Sequence, residues 1–152
     1  MVPFIPPLFV YGTLRDPELR AAVIGRQLAP DRVLRAAAPG FIVLHYPGRS
    51  YPALVRAPGG AAEGLLLLGL SPFEQDLLDT YEGPEYRPAV IAVMTGEELH
   101  ESCAYLPAVN VPAGTAEWRL ETWQEQHKPK AVEAEAAAAQ MLRAKLIAIR
   151  PN

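Results

Sequence analysis

The chain has 152 residues, half of them hydrophobic and 20% charged. These are the values of a globular domain long enough to bury a core, not of a disordered or coiled-coil chain. Its 17 acidic and 14 basic side chains leave a formal charge of −3, which gives no basic footprint and argues against nucleic acid as a partner.

Cys103 is the one cysteine, so no internal disulfide can form and a reducing cytoplasm is the expected setting. One thiol with His45, His100 and His127 makes no recognisable metal site. The expectation is a single domain over residues 1–152, with a core at about 8–106 and a helical extension at about 115–150. Residues 1–7 are apolar but short, without basic residues and with three prolines, which makes a poor signal peptide. The Leu-rich run at 65–70 is too short to span a bilayer, so no membrane partner is expected.

Leu8, Phe9, Val10 and Tyr11 read as a buried strand. Gly12 then lets the backbone turn or a ligand approach closely, and Asp16-Pro17 supplies a helix N-cap and first helical residue. That sequence of events leaves the peptide N–H groups of residues 12 to 15 without strand partners, able to hold an oxyanion or a carboxylate. The helix ends at Gly25, with Leu19, Ala22 and Val23 facing the core.

Short apolar or alternating runs follow at 33–37, 41–46, 51–56 and 63–70, punctuated as turns by Pro39-Gly40, Pro47-Gly48 and Pro58-Gly59-Gly60. Their spacing predicts a meander or small barrel. Gly64 and Gly69 mark bends or bulges in the last run.

Ser71-Pro72-Phe73-Glu74 is a capping box with proline at the first helical position. Phe73, Leu77 and Leu78 form the apolar face, while Glu74, Gln75, Asp76 and Asp79 face water, and Gly83 stops the helix. Residues 86–94 and 99–106 read as a hairpin turning near Thr95-Gly96-Glu97-Glu98.

In the tail, Thr115 caps a segment holding Trp118, Leu120 and Trp123, and Pro129 interrupts it. Residues 130–149 are strong helix formers. Val132, Ala136, Ala139, Leu142, Leu146 and Ile149 make a narrow apolar stripe that either packs on the barrel or forms a homodimer contact. Glu133 and Glu135 lie early, with Arg143, Lys145 and Arg150 late, complementing the helix dipole.

Glu82 is the carboxylate with a costly position. A helix C-terminus carries partial negative charge, so its pKa is expected to drift upward from about 4.3. Desolvation beside Tyr81 pushes the same way, toward the range useful to a general base. The alternative is a glutamate pointing into solvent beside a C-cap glycine. Tyr11 is likewise either a site residue or a core aromatic. Gly12-Thr13 matches no phosphate loop. Ser50 and Ser102 have no identifiable His and acid partners, and Cys103 reads as a small buried hydrophobe.

Three segments together, Phe9-Val10-Tyr11-Gly12-Thr13-Leu14-Arg15, Tyr51-Pro52-Ala53-Leu54-Val55 and Leu78-Asp79-Thr80-Tyr81-Glu82-Gly83-Pro84-Glu85-Tyr86-Arg87, resemble the gamma-glutamyl cyclotransferase-like family. The likeness runs from about residue 8 to 106, and Trp118 to His127 resembles an extension found in some members. The resemblance implies an α+β fold, a small mixed β-barrel with flanking helices and a C-terminal helical extension. It implies a small gamma-glutamyl substrate bound by Tyr11, Gly12, Thr13 and Leu14, with Arg15 and Tyr86 beside them, and Glu82 as general acid and base.

The reaction implied is attack of the substrate's α-amino group on its own γ-amide, giving 5-oxoproline and a free amine without any cofactor. Where the family often has an arginine, this chain has Pro88, which loosens the substrate class. The alternative is a non-catalytic gamma-glutamyl-binding or interaction module with the same pocket. A weaker one is transfer or cleavage of a different acyl amide.

Overall fold

The computed structural model describes residues 6–149. The readings for residues 1–5 and for Arg150 lie outside that range. Five strands close a barrel in the order β1-β3-β2-β4-β5: β1 Leu8–Val10, β2 Val33–His45, β3 Pro52–Leu67, β4 Tyr86–Thr95 and β5 Glu98–Pro107. The sheet is mixed because β1 runs parallel to β5, with Leu8 opposite Cys103, and antiparallel to β3. β1 is buried on both faces, which accounts for its unbroken apolar run. Leu8 and Val10 join the cluster beneath the helices, while Phe9 and Tyr11 join the cluster that also holds Phe41, Leu54 and Leu66.

The four short runs expected between residues 33 and 70 are instead two long strands. β2 and β3 pair from Val33↔Leu67 to His45↔Pro52, with a register shift between Pro39 and Phe41. Pro39-Gly40 and Pro58-Gly59-Gly60 therefore bend the strands rather than reverse them. Gly40 and Gly59 take φ of 82° and 81° at this irregularity, the kind of distortion that strand curvature requires. Gly64 stays in register opposite Ala36 and is no bulge. A Cβ there would lie 2.4 Å from the Val10 carbonyl oxygen, so glycine is needed for β1 to approach. Pro47-Gly48 does turn the chain between β2 and β3, and Gly96 turns β4 into β5.

Helix α1 covers Pro17–Ile24 and α2 covers Pro72–Glu82. Both begin and end as their sequences predict. The Leu19 amide donates to Asp16 Oδ1 at 2.9 Å, Gly25 ends α1 at φ 93°, and the capping box of Ser71 and Glu74 is complete. Glu74, however, is buried rather than solvated. The Arg26 guanidinium grips it as a fork, at 2.6 Å and 2.9 Å.

In the tail, helix α3 spans Leu120–Gln126 and α4 spans Lys128–Ile149, so the break expected at Pro129 occurs just before it. Trp118 is not helical. The segment before it runs extended against the end of β2, with the His45 amide donating to the Ala116 carbonyl at 2.9 Å and the Trp118 amide to the Val43 carbonyl at 3.2 Å. Thr115 caps no helix, and its hydroxyl donates to the Pro112 carbonyl instead. α4 packs on α1 and α2 and buries Ala139 fully. Arg143 donates to the Val23 carbonyl at 3.0 Å, at the C-terminal end of α1. No described helix is long and apolar enough to cross a membrane.

Candidate active site

Between β1 and α1 the chain makes a single 3-10 turn, Thr13–Arg15. Gly12 leads into it at φ −125°, so its role is not a left-handed turn. A Cβ on Gly12 would sit 2.5 Å from Pro52 Cγ, and it is this ring that excludes a side chain. Of the four amides expected to be free, that of Arg15 is taken by the Gly12 carbonyl at 3.0 Å, while no hydrogen bond among the described residues uses those of Gly12, Thr13 or Leu14. The loop thus offers three consecutive donors, an arrangement suited to an oxyanion or carboxylate.

The second half of the site comes from the end of α2. The capping box fixes where this helix starts, and Gly83 at φ 67° with Pro84 behind it fixes where it stops, leaving Glu82 as the last helical residue. Glu82 and the Tyr11 to Leu14 segment line one cavity of about 270 Å³. Withdrawal from bulk water, reinforced by the negative charges of Glu135 and Glu85, raises the Glu82 pKa to about 8. No hydrogen bond or ion pair among the described residues engages its carboxylate. A carboxylate in that state can take up and give back a proton near neutral pH.

The phenols around it are placed as donors. Burial, then the charge of Glu82, pushes the Tyr11 hydroxyl well above its ordinary value, and it donates to the Tyr105 carbonyl at 2.5 Å. Tyr11 is at once a core aromatic and a cavity residue. Tyr86, pushed up by burial and by neighbouring Tyr11 and Glu82, donates to the Pro52 carbonyl at 2.5 Å. Tyr105 donates to Asp79 at 2.5 Å. Glu85, one of the two carboxylates near Glu82, is held by Arg49 at 3.1 Å and accepts from the Tyr51 hydroxyl. These contacts fasten the start of β3 to the start of β4.

The C-terminal extension closes the site from another side. Trp123, Ala131 and Glu135 line the same cavity. Asp16, fully buried, accepts from Gln124 at 2.8 Å and pairs with Lys128 at 2.9 Å. Burial alone would raise the Asp16 pKa, but the Leu19 amide, Lys128 and Gln124 together hold it below the ordinary carboxylate range. The helix N-cap at the exit of the site loop is therefore also the anchor of the tail.

Of the residues singled out from sequence, Tyr11, Gly12, Thr13, Leu14, Glu82 and Tyr86 meet at the cavity, and Arg15 is not among its lining residues. Pro88 lies exposed on β4, also outside the lining, so the departure at that position removes no charge from the cavity wall. Sequence reasoning missed Pro52, Glu85, Trp123 and Glu135. Glu135 did leave a signal: it stands four residues from Ala131 and four from the buried Ala139, a carboxylate set in the row that faces the protein.

The description "Gamma-glutamyl cyclotransferase, AIG2-like" fits a family model that matches residues 8–125. AIG2-like protein A of Arabidopsis thaliana is 31% identical over 130 residues, covering 83% of this chain and 76% of the relative. A solution structure from the same plant superposes with a TM-score of 0.63 at 27% identity, over 85% of this chain and 87% of the other. A solved gamma-glutamyl cyclotransferase gives 0.59 at 17% identity, covering 96% of this chain and 88% of that one, a likeness of fold. With its closed barrel and the match across most of its length, the chain belongs to the gamma-glutamyl cyclotransferase, AIG2-like family.

Proposed function

We propose that this protein is a gamma-glutamyl cyclotransferase acting on a small gamma-glutamyl amide, with Glu82 as its acid and base. The observation that carries the reading is the pairing of Glu82 with the unused amides of Gly12, Thr13 and Leu14 in one cavity. A gamma-glutamyl group carries an α-ammonium, an α-carboxylate and an amide carbonyl that becomes an oxyanion. Three backbone donors suit the anionic parts, and a carboxylate without a cation suits the ammonium.

In the proposed reaction, Glu82 takes a proton from the α-ammonium and the freed amine attacks the γ-carbonyl carbon. The new C–N bond closes a five-membered lactam. Collapse of the oxyanion breaks the original amide bond as Glu82 returns its proton to the departing nitrogen, and the surplus proton on the ring nitrogen then passes by way of Glu82 to the released amine, which leaves as its ammonium. Both reacting groups belong to one molecule, so the protein's main contribution is to hold the substrate folded. Loss of one oxyanion donor in such a site typically costs roughly 10²–10³ in rate.

The test is to incubate the purified protein with gamma-glutamyl amides of varied amines and assay 5-oxoproline together with the freed amine. Stoichiometric appearance of both is expected for at least one substrate. Binding of these amides without 5-oxoproline from any of them would instead establish a gamma-glutamyl-binding module.

A further inference from the structure

We infer that Glu135, contributed by the C-terminal helix α4, is a substrate-binding residue that holds an ammonium group of the substrate in the cavity it shares with Glu82. The inference rests on the gamma-glutamyl reading above. Glu135 lines the cavity together with Trp123 and Ala131 from the same extension, and it lies beyond residue 125, where the family match ends.

Among the described residues no lysine, arginine or histidine lines this cavity, whereas three carboxylates do: Glu82, Glu85 and Glu135. Glu85 already has its cation in Arg49. Glu82 and Glu135 share the space with no positive charge from the described residues, so a ligand that brings an ammonium relieves their mutual repulsion. Trp123 and Tyr81 line the same cavity, and the Tyr81 hydroxyl is hydrogen-bonded to Glu135, which fixes that carboxylate without neutralising its charge.

The position of Glu135 is built rather than incidental. Lys128, the first residue of α4, is tied to Asp16 at 2.9 Å and to Glu18 at 3.3 Å, and Arg143 ties the later part of α4 to α1. The titratable groups that face Glu82 are Glu135 from α4, Glu85, Tyr81 and Tyr86 from α2 and the segment after it, Tyr11 after β1, and Tyr105 from β5. Replacing Glu135 by a neutral residue removes one of the two negative charges that raise the Glu82 pKa. Glu82 then ionises at lower pH.

The experiment compares wild type with Glu135→Gln, using two gamma-glutamyl amides. One releases an alkylamine, and the other releases a diamine that carries a second ammonium. Glu133→Gln, the same charge change on an exposed residue of α4 outside the cavity, is the control. Melting temperatures establish that each variant is folded.

The expected result is a roughly tenfold rise in KM for Glu135→Gln, the worth of one charge-assisted contact. A smaller change in kcat should accompany it, with the acid limb of the kcat/KM profile moved to lower pH and Glu133→Gln matching wild type. A rise for both substrates assigns Glu135 to the α-ammonium, and a rise for the diamine substrate alone assigns it to the released amine. An active wild type whose KM and pH profile do not change in Glu135→Gln overturns the inference while leaving the cyclotransferase reading intact. A wild type that yields no 5-oxoproline from any gamma-glutamyl amide overturns both.

Discussion

The ammonium of Lys128 stands 2.9 Å from the fully buried carboxylate of Asp16, so the C-terminal helix is tied to the first helix where the chain leaves the site loop. Asp16→Ala removes an N-cap, worth about 1 kcal/mol, and leaves Lys128 and Gln124 without their acceptor. A total loss of about 2–4 kcal/mol in chemical denaturation at pH 7 is expected. Because the folded pKa of Asp16 is depressed, its contribution is fully present above the ordinary carboxylate range and fades as the pH falls through the folded value. The gap between Asp16→Ala and wild type should therefore narrow below about pH 4.

Gly12→Ala probes a different contact. The new methyl would meet the ring of buried Pro52 at 2.5 Å and 3.0 Å, and overpacking of this kind typically costs about 1–3 kcal/mol. The loop must shift to accommodate it, carrying the Gly12, Thr13 and Leu14 amides with it. Activity should consequently fall further than stability does, measured as kcat/KM beside the melting temperature. An alanine variant with wild-type values of both would show that the Pro52 contact does not constrain the loop.

Glu82 is expected to act against stability. Its folded pKa of about 8 lies above the unfolded value, so the folded state retains a proton that the unfolded state has lost. Stability contributed by this group is present below the unfolded pKa and is lost as pH rises from about 4.5 toward 8. Glu82→Gln stays neutral throughout and should be the more stable protein at pH 8, by about 2–4 kcal/mol. The advantage should disappear near pH 4, which paired denaturation curves at the two pH values would reveal.

The sequence carried the helices well because their signals are local. Asp16-Pro17 with Gly25, and Ser71-Pro72 with Gly83, satisfy or close the ends of a helix by themselves. Long-range partners decided the rest. Nothing near Glu74 announces that Arg26, 48 residues earlier, will bury it, and Pro39-Gly40 reads as a reversal until the pairing of β2 with β3 shows a bend.

The same distinction divides the site. Glu82 was legible because a helix end is a local event, and Gly12 because a strand meets a helix cap there. Its neighbour Pro52 and the wall carrying Glu135 come from distant segments, and only the closed barrel and the docked tail bring them to the cavity.

The role of Glu82 as acid and base is tested most directly by the turnover of Glu82→Gln. With a gamma-glutamyl amide that the wild type converts to 5-oxoproline, the variant is expected still to bind the substrate, by calorimetry, while turnover falls by roughly 10²–10⁴-fold. Turnover by Glu82→Gln equal to that of wild type would contradict that role.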